Sequence, residues 1–371
     1  MKINFYSFFP LFVLLCLLLG GCTPERNAES SNSQREIDVF YDNLLEGGAF
    51  ELPVVGASAY ASMELMLYGS ARVSVNVLGM LQAGQGFTIL AEEGEWWFID
   101  SYGLQGWVRN SLCMINLPDI IPSIVYDVTN TYSSMFRSSF IDIPNITGRS
   151  IYNGRDFNAR FGREEFIAPV LYGMAPKIFN AQQAALAEGN TLVLYEAFRP
   201  ADAHNELHYH FSNLVEANPL VRTGITSENF NIRWFLAEAP YNHQRGTAVD
   251  VSLARIDDWE VRTSGNYVYL HILEYTEYPM QTPIHELSVA AAIMSSSIYS
   301  RSSTGWHGAE ISPRATPGTL LLFRYCTEAG LTPLSSEWWH FNDIENTALA
   351  TDYDLGGEFL IESTYSRPPL R

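Results

Sequence analysis

The chain has 371 residues, of which 47% are hydrophobic and 17% charged, and its formal net charge at pH 7 is -19. This length and composition suit one large domain or two ordinary ones, and they argue against long disorder away from the chain ends. The 41 acidic residues against 22 basic ones argue against a nucleic-acid partner, because phosphate binding requires clustered lysine and arginine.

The N-terminus has the composition of a secretory signal. A single lysine precedes an apolar run that ends in Leu-Gly-Gly-Cys at Cys22, and this run is too short and too early for a membrane span. The ending resembles a bacterial lipobox, so residues 1–22 are predicted to be a lipoprotein signal with lipidation at Cys22; an ordinary signal peptide is the alternative. Such a lipid would hold an exported protein at a membrane surface outside the cytoplasm. Residues 23–50 are polar and aperiodic, and they predict a tether.

Residues 51–117 form the first predicted folded unit. Short β-rich segments alternate with turns that contain glycine, as in "VLGMLQAGQGFTIL" and "GEWWFIDSYGLQGWV". Together with the closing "RNSL", these segments resemble a bacterial Src-homology-3-type barrel. The resemblance implies a small all-β barrel that either binds cell-wall peptide or acts as a spacer.

Residues 118–371 mix helical and strand-like patterns, which predicts an α+β domain rather than a doubly wound sheet. Pro169 and Pro176 leave the start of the first predicted helix uncertain. The predicted helices cover 164–190, 201–218 and 317–331, and the predicted strands cover 191–198, 246–254 and 338–343.

Three residues in two segments of this domain form a candidate metal site. "YNHQRGTAVDVSL" contains His243 and Asp250, and "SSEWWHF" contains His340. Two imidazoles and one carboxylate suit zinc and leave a fourth position for water. Asp250 also needs a partner or a metal because its strand neighbours are apolar, and a bare buried charge is costly. We therefore expect one zinc ion per chain.

Two further residues complete the expected chemistry. Glu337 lies three positions before His340, and in a straight strand the two side chains would face opposite sides. They can face one metal if Glu337 lies in the loop that enters the strand, where it would act as the base for the zinc-bound water. Arg199, at the end of the "YEAFRP" strand, is a cation that would stabilise an oxyanion.

The three motifs "YEAFRP", "HQRGTAVDVSL" and "SEWWHF" resemble the zinc D-alanyl-D-alanine dipeptidases of the VanX type. These enzymes belong to the zinc D,D-peptidases, which also include D,D-carboxypeptidases, and the resemblance spans about residues 125–345. It implies a compact α+β domain with a small central antiparallel sheet. It also implies a role for each motif residue: zinc ligation by His243, Asp250 and His340, acid/base catalysis by Glu337, and transition-state stabilisation by Arg199.

The residues just before the first predicted ligand, which would lie near the substrate, differ from those of the family. The dipeptidases commonly have Ser-Ser-His where this chain has Tyr241, Asn242 and His243, which changes the cleft wall and makes Tyr241 a candidate substrate contact. His285 and Glu286, in the family-like segment "PMQTPIHELS", are further candidates for the cleft wall. In contrast, His204, His208 and His210 lie on a predicted helix without the spacing of a helical zinc motif, and we expect them to be surface or structural residues.

These features predict zinc-dependent hydrolysis of D-alanyl-D-alanine to D-alanine in cell-wall peptide metabolism. An exported, tethered chain with a possible wall-binding module is also consistent with a D,D-carboxypeptidase or endopeptidase that trims peptidoglycan stem peptides. A non-catalytic, zinc-bearing wall-binding protein is the third possibility. The presence of both Glu337 and Arg199 argues against this third possibility, because a binding protein needs no general base.

Overall fold

A computed structural model describes residues 50–237, 241–298 and 302–370. The predicted signal, Cys22 and residues 23–49 of the predicted tether lie outside these ranges. Within them, no helix combines the length and the apolar character needed to cross a membrane.

The N-terminal region folds around an antiparallel sheet of eight strands. Its strands are β1 (Ser58–Ala61), β2 (Leu65–Tyr68), β3 (Val77–Leu81), β4 (Gly86–Glu93), β5 (Trp96–Ser101), β6 (Leu104–Arg109), β7 (Cys113–Asn116) and β13 (Pro169–Leu171). Their order in the sheet is β13-β7-β1-β4-β5-β6-β2-β3. Seven of the strands come from the predicted 51–117 unit, which therefore consists mainly of β-strands, while its closure into a barrel stays a prediction.

The eighth strand, β13, corrects the helix predicted over 164–190. Pro169 begins β13 at the edge of the sheet, where a residue without an N–H is tolerated. The helix starts only at Ala175, which places Pro176 in its first turn, the position that proline suits. Apolar spacing alone could not separate a short buried strand from the helix that follows it.

A second sheet supports the predicted metal site. Its strands are β8 (Val125–Tyr126), β14 (Asn190–Glu196), β15 (Ala248–Ser264), β16 (Tyr267–Glu277), β17 (Thr332–Pro333) and β18 (His340–Asn342). Their order is β17-β18-β15-β14-β8, with β16 paired to the outer part of β15. All pairs are antiparallel except β14 with β8.

Helices pack around this sheet, which confirms the α+β class. The helices are α1 (Leu117–Ile120), α2 (Ala175–Leu186), α3 (Ala201–Ala217), α4 (Pro219–Thr226), α5 (Ile232–Phe235), α6 (Pro317–Glu328) and α7 (Ile344–Asp352). Two small antiparallel pairs lie outside the two sheets: β9 (Arg137–Ser138) with β10 (Ile141–Asp142), and β11 (Arg155–Asn158) with β12 (Arg163–Phe166). Helix α3 begins at the predicted residue, directly after Pro200.

One hydrophobic core crosses the domain boundary predicted at residue 117. It joins Trp97 and Ile115 of the first sheet to Leu194 and Val251 of the second. The C-terminal segment also returns to the first sheet, where the Arg367 amide donates to the Gly56 carbonyl at 2.7 Å. The two predicted units therefore share buried surface instead of being joined by a linker alone.

The tryptophan pair before His340 gives a direct test of this core. Trp338 is 2% exposed, packs edge to face on Trp339 and donates from Nε1 to Thr282 Oγ1 at 3.0 Å. Trp338→Ala should lower the free energy of unfolding by about 3–5 kcal/mol, because it removes buried apolar surface and leaves a cavity. Urea unfolding with a metal chelator present would measure this. The exposed Tyr209→Ala is the control, and a Trp338→Ala loss no larger than that of the control would contradict buried packing.

Candidate metal centre and active site

The strand register brings the carboxylate and one imidazole together. In the second sheet Asp250 of β15 lies directly opposite His340 of β18 and, on its other side, opposite Glu196 of β14. Apolar neighbours such as Val249 and Val251 anchor β15 in the core. Asp250 is thus buried between two strands. Its carboxylate needs hydrogen-bond or charge partners there, because a buried unpaired charge is costly.

The second imidazole reaches the same point from a tight turn. His243 precedes Gly246, whose φ of +67° suits glycine. A Cβ on Gly246 would lie 2.9 Å from the Leu171 amide nitrogen. The turn therefore also requires a residue without a side chain where it passes β13. This turn places the His243 ring 4.8 Å from the His340 ring, centroid to centroid.

Three ligand atoms converge in a small buried space. The His243 Nε2 atom is 3.2 Å from Asp250 Oδ1 and 3.1 Å from His340 Nδ1, and His340 Nδ1 is 3.0 Å from Asp250 Oδ1. Tetrahedral ligands at about 2.0–2.1 Å from an ion are about 3.3 Å apart, close to these separations. The three residues could therefore coordinate one metal ion.

The outer nitrogens of both rings indicate which inner atoms carry lone pairs. His243 donates from Nδ1 to the Ala197 carbonyl at 2.7 Å, and His340 donates from Nε2 to Asn342 Oδ1 at 2.9 Å. In the neutral rings the inner nitrogens are then acceptors, so two lone pairs and a carboxylate face each other. A cation between them would satisfy all three.

Further groups hold the Asp250 carboxylate. His285 Nε2 lies 3.1 Å from Asp250 Oδ2, and the Arg199 Nη2 atom lies 3.9 Å from the same oxygen. Burial by itself would raise the pKa of Asp250, but the surrounding imidazoles of His243, His285 and His340 together outweigh it. The pKa of Asp250 is accordingly well below its usual value, which keeps the ligand ionised.

The structure places His285 and Glu286 behind the site rather than in the cleft wall. His285 is fully buried, has a φ of +61° and stacks on Phe136 at 4.2 Å. The Glu286 carboxylate accepts from the Phe140 amide at 2.9 Å and from Ser288 Oγ at 2.6 Å. Neither residue lines the cavity described below. His285 instead supports Asp250, and Glu286 holds the backbone at Phe140 by its hydrogen bond.

Glu337 lies in the turn before β18, as the shared orientation with His340 requires. Its Oε2 atom is 3.8 Å from His340 Nδ1, and its Oε1 atom is buried without a hydrogen-bond partner among the described residues. Burial raises the pKa of Glu337 well above its usual value, and the negative charge of Asp250 adds to the shift. A bound cation would oppose this shift. The carboxylate thus has an oxygen available beside the metal ligands.

Arg199 is fixed by an acid that the motif analysis overlooked. Its guanidinium forms a two-point ion pair with Glu196, with Nε 2.9 Å from Oε1, and it also donates to the Tyr241 hydroxyl. Burial acts against both charges, yet their mutual attraction lowers the pKa of Glu196 and raises that of Arg199. His204 accepts from Arg199 at 3.5 Å and donates to the Ala237 carbonyl, which confirms its structural role.

A second possible ligand group consists of Glu196, Asp250 and His285. It is less suited to a cation because Arg199 already occupies the Glu196 oxygens and brings its own positive charge. In the group of His243, Asp250 and His340, the converging Asp250 Oδ1 atom has no arginine partner among the described residues, since Arg199 lies 3.9 Å from the other oxygen, Oδ2.

A cavity of about 970 Å³ opens onto these residues. Its wall includes the three metal ligands together with Glu337, Arg199 and Tyr241. Aromatic and aliphatic side chains form one part of the wall, and one face of α7 forms another. The apolar members include Phe136, Trp234, Phe235, Leu236, Leu287 and Ile298. All of the predicted metal and catalytic residues therefore meet in one cavity.

Some supporting residues escaped the sequence analysis. Asn342, two residues after His340 in β18, could have been suspected because a polar residue in a buried strand needs a partner. Glu196 likewise ends a strand that is buried throughout. The Ala197 carbonyl has no side-chain signature, so no reading of the sequence could have identified it.

Comparison with protein-family models and with curated proteins gave no match for this chain.

Proposed function

We propose that this protein is a zinc-dependent D,D-peptidase. The observation that carries the proposal is the buried Glu337 Oε1 atom, which has no partner in the described structure and lies beside three converging ligand atoms. A binding site needs no unsatisfied carboxylate, and keeping one buried is costly. A hydrolase needs one to accept a proton from water.

The ligand set also bears on the identity of the metal. Two histidines and one carboxylate bind catalytic zinc, but they also bind non-haem iron in oxygenases. Glu337 favours zinc, because general-base catalysis on water is the chemistry of a hydrolase. Zinc, when bound, would supply Lewis acidity and lower the pKa of a coordinated water to about 7.

The residues of the chain then have separate tasks. Glu337 accepts the proton of the attacking water while the new carbon–oxygen bond forms, and it passes that proton to the leaving amine as the carbon–nitrogen bond breaks. Arg199, held by Glu196, keeps a positive charge at the cavity wall near the ligands, where the oxyanion develops. Tyr241 accepts a hydrogen bond from Arg199 and lines the same wall, which suits a substrate contact.

The size of the cavity favours a peptide longer than a dipeptide. A volume of about 970 Å³ is near the upper end of the range for drug-sized ligands. The wall includes Ile344, Thr347, Ala348 and Thr351 of α7, and the helix advances about 10 Å from Ile344 to Thr351. A dipeptide spans only about 7 Å when extended. Trimming of stem peptides therefore fits the cleft better than hydrolysis of free D-alanyl-D-alanine.

Substrate length can be tested on the zinc-loaded protein. A pentapeptide that ends in D-Ala-D-Ala should be cleaved with a kcat/KM at least about tenfold higher than that of the free dipeptide, because the longer chain also contacts α7. Product masses identify the bond that is cut, and an all-L pentapeptide is the control. A preference for the dipeptide would contradict the stem-peptide assignment, and cleavage of neither substrate would contradict the peptidase itself.

The expected location agrees with such a substrate. Lipidation at Cys22, which lies outside the described residues, would hold the protein at the membrane next to the wall. The first sheet presents aromatic side chains on its outer face, with Phe98 and Trp107 at 5.4 Å and Tyr68 and Trp96 at 5.7 Å. These rings support the proposal that the N-terminal unit contacts the cell wall.

A further inference from the structure

Helix α7 connects the metal centre to a distant part of the cleft. It starts directly after the strand that carries His340. Its N-cap Asp343 is buried, accepts from the Asn346 amide at 3.2 Å and pairs with Lys177 at 2.9 Å. Farther along the helix, Thr347 donates from its hydroxyl to Thr247 Oγ1 at 2.9 Å. The cleft-lining face of α7 is therefore held rigidly relative to the metal ligands.

An arginine lies at the far end of this face. Arg245, two residues after the ligand His243, donates from Nη1 to Thr351 Oγ1 at 3.2 Å and from Nε to the Leu355 carbonyl at 3.3 Å. Both acceptors are uncharged, and Arg245 forms no ion pair within the described ranges. It lines the same cavity as the metal ligands. The Arg245 guanidinium can therefore donate further hydrogen bonds to a bound ligand and attract a negative charge on it.

Arg199 and Arg233 also line the cavity. Arg199 is already paired with Glu196. Asp354 acts electrostatically on Arg245, and Asp352 lines the same cavity; both are exposed, so water and salt screen their charges. An anionic group within the cleft would be less screened and would meet a fork of donors that matches a carboxylate.

We propose that Arg245, with the polar face of α7, binds a carboxylate that the substrate carries about three residues before the scissile bond. The inference rests on the peptidase function proposed above. The spacing follows from α7, because its face advances about 10 Å between the metal end and Thr351, and an extended peptide advances about 3.3 Å per residue. Arg245 is thus a specificity-determining residue for acidic stem peptides.

Two pentapeptides ending in D-Ala-D-Ala, with glutamate or glutamine at the third residue before the scissile bond, test the subsite. The parent protein should prefer the glutamate peptide about tenfold in kcat/KM, mainly through KM, because the contact is made equally in the ground and transition states. Arg245→Gln should reduce the ratio to about one, whatever its effect on the rate that the two peptides share. Arg245→Lys should retain part of the preference, because it keeps the charge without the fork of donors.

Several results would overturn the inference. One is a parent ratio near one, and another is an unchanged ratio in a folded Arg245→Gln protein. The glutamine peptide with a free or an amidated C-terminus forms a separate arm. Suppose that the parent protein distinguishes the free from the amidated peptide and that Arg245→Gln removes this difference in kcat/KM. The subsite would then bind the C-terminal carboxylate, and our assignment of Arg245 to a residue before the scissile bond would be wrong.

Calorimetry separates this inference from the proposed function. Zinc-loaded Glu337→Gln protein can be titrated with the glutamate and glutamine peptides without turnover. A Kd ratio of about ten that disappears in the Glu337→Gln, Arg245→Gln double variant supports the subsite whatever the reaction is. Equal Kd values contradict it even if the parent protein cleaves both peptides.

Discussion

Glu337→Gln protein should keep its metal and lose most of its turnover. Glutamine preserves the size and shape of the side chain, and the three ligands His243, Asp250 and His340 are untouched. The amide cannot accept a proton from water, and general acid–base catalysis contributes about 10²- to 10⁴-fold. We therefore expect kcat to fall by about that factor or more, while KM changes little.

The measurement combines zinc content with steady-state kinetics on the pentapeptide. Glu206→Gln, on the exposed surface of α3, is the matched control and should behave as the parent does. Retention of most of the turnover would show that Glu337 is not the base. Loss of zinc from Glu337→Gln would instead make this residue a ligand and would require a different assignment of the centre.

His243→Ala protein should lose both metal and activity. The substitution removes the Nε2 atom that lies 3.2 Å from Asp250 Oδ1 and leaves only two of the three ligands. Loss of an outer partner of a ligand commonly weakens metal binding by about 10- to 100-fold, so loss of a ligand itself should weaken it by at least about 100-fold. Turnover should fall at least as far as in Glu337→Gln, because the Lewis acid is then absent.

Metal content after dialysis against a zinc buffer, together with the pentapeptide assay, checks this expectation. His307→Ala, at an exposed histidine, is the control for removing an imidazole. His243→Gln is a second variant that keeps a polar side chain at this position. Circular dichroism of both variants would show whether a loss of metal or activity comes from misfolding. A His243→Ala protein with one zinc per chain would mean that the ligand assignment is wrong.

Part of the candidate metal site could be predicted from the local sequence. Asp250 interrupts an apolar strand, and a buried charge needs a partner. Glu337 and His340 are three residues apart, so they could share a metal only if the strand began after Glu337. The structure confirms this, since β18 starts at His340.

Other features depend on contacts between distant segments. Pro169–Leu171 joins the first sheet because β7 offers an edge there, and nothing in the segment itself specifies that pairing. His285 turns behind Asp250 because its backbone has a positive φ and its ring stacks on Phe136. Periodicity along one segment contains no information about such neighbours.

The sequence by itself determined the α+β class and most of the helix and strand positions, because periodicity acts locally, and its motifs marked His243, Asp250 and His340 as candidate metal ligands. Only the tertiary structure decided that His243 and His340, 97 positions apart, meet at 3.1 Å. It also decided that Glu196 immobilises Arg199 and that α7 extends the cleft to Arg245. These relations come from strand register and packing, in which each residue's position depends on the whole fold.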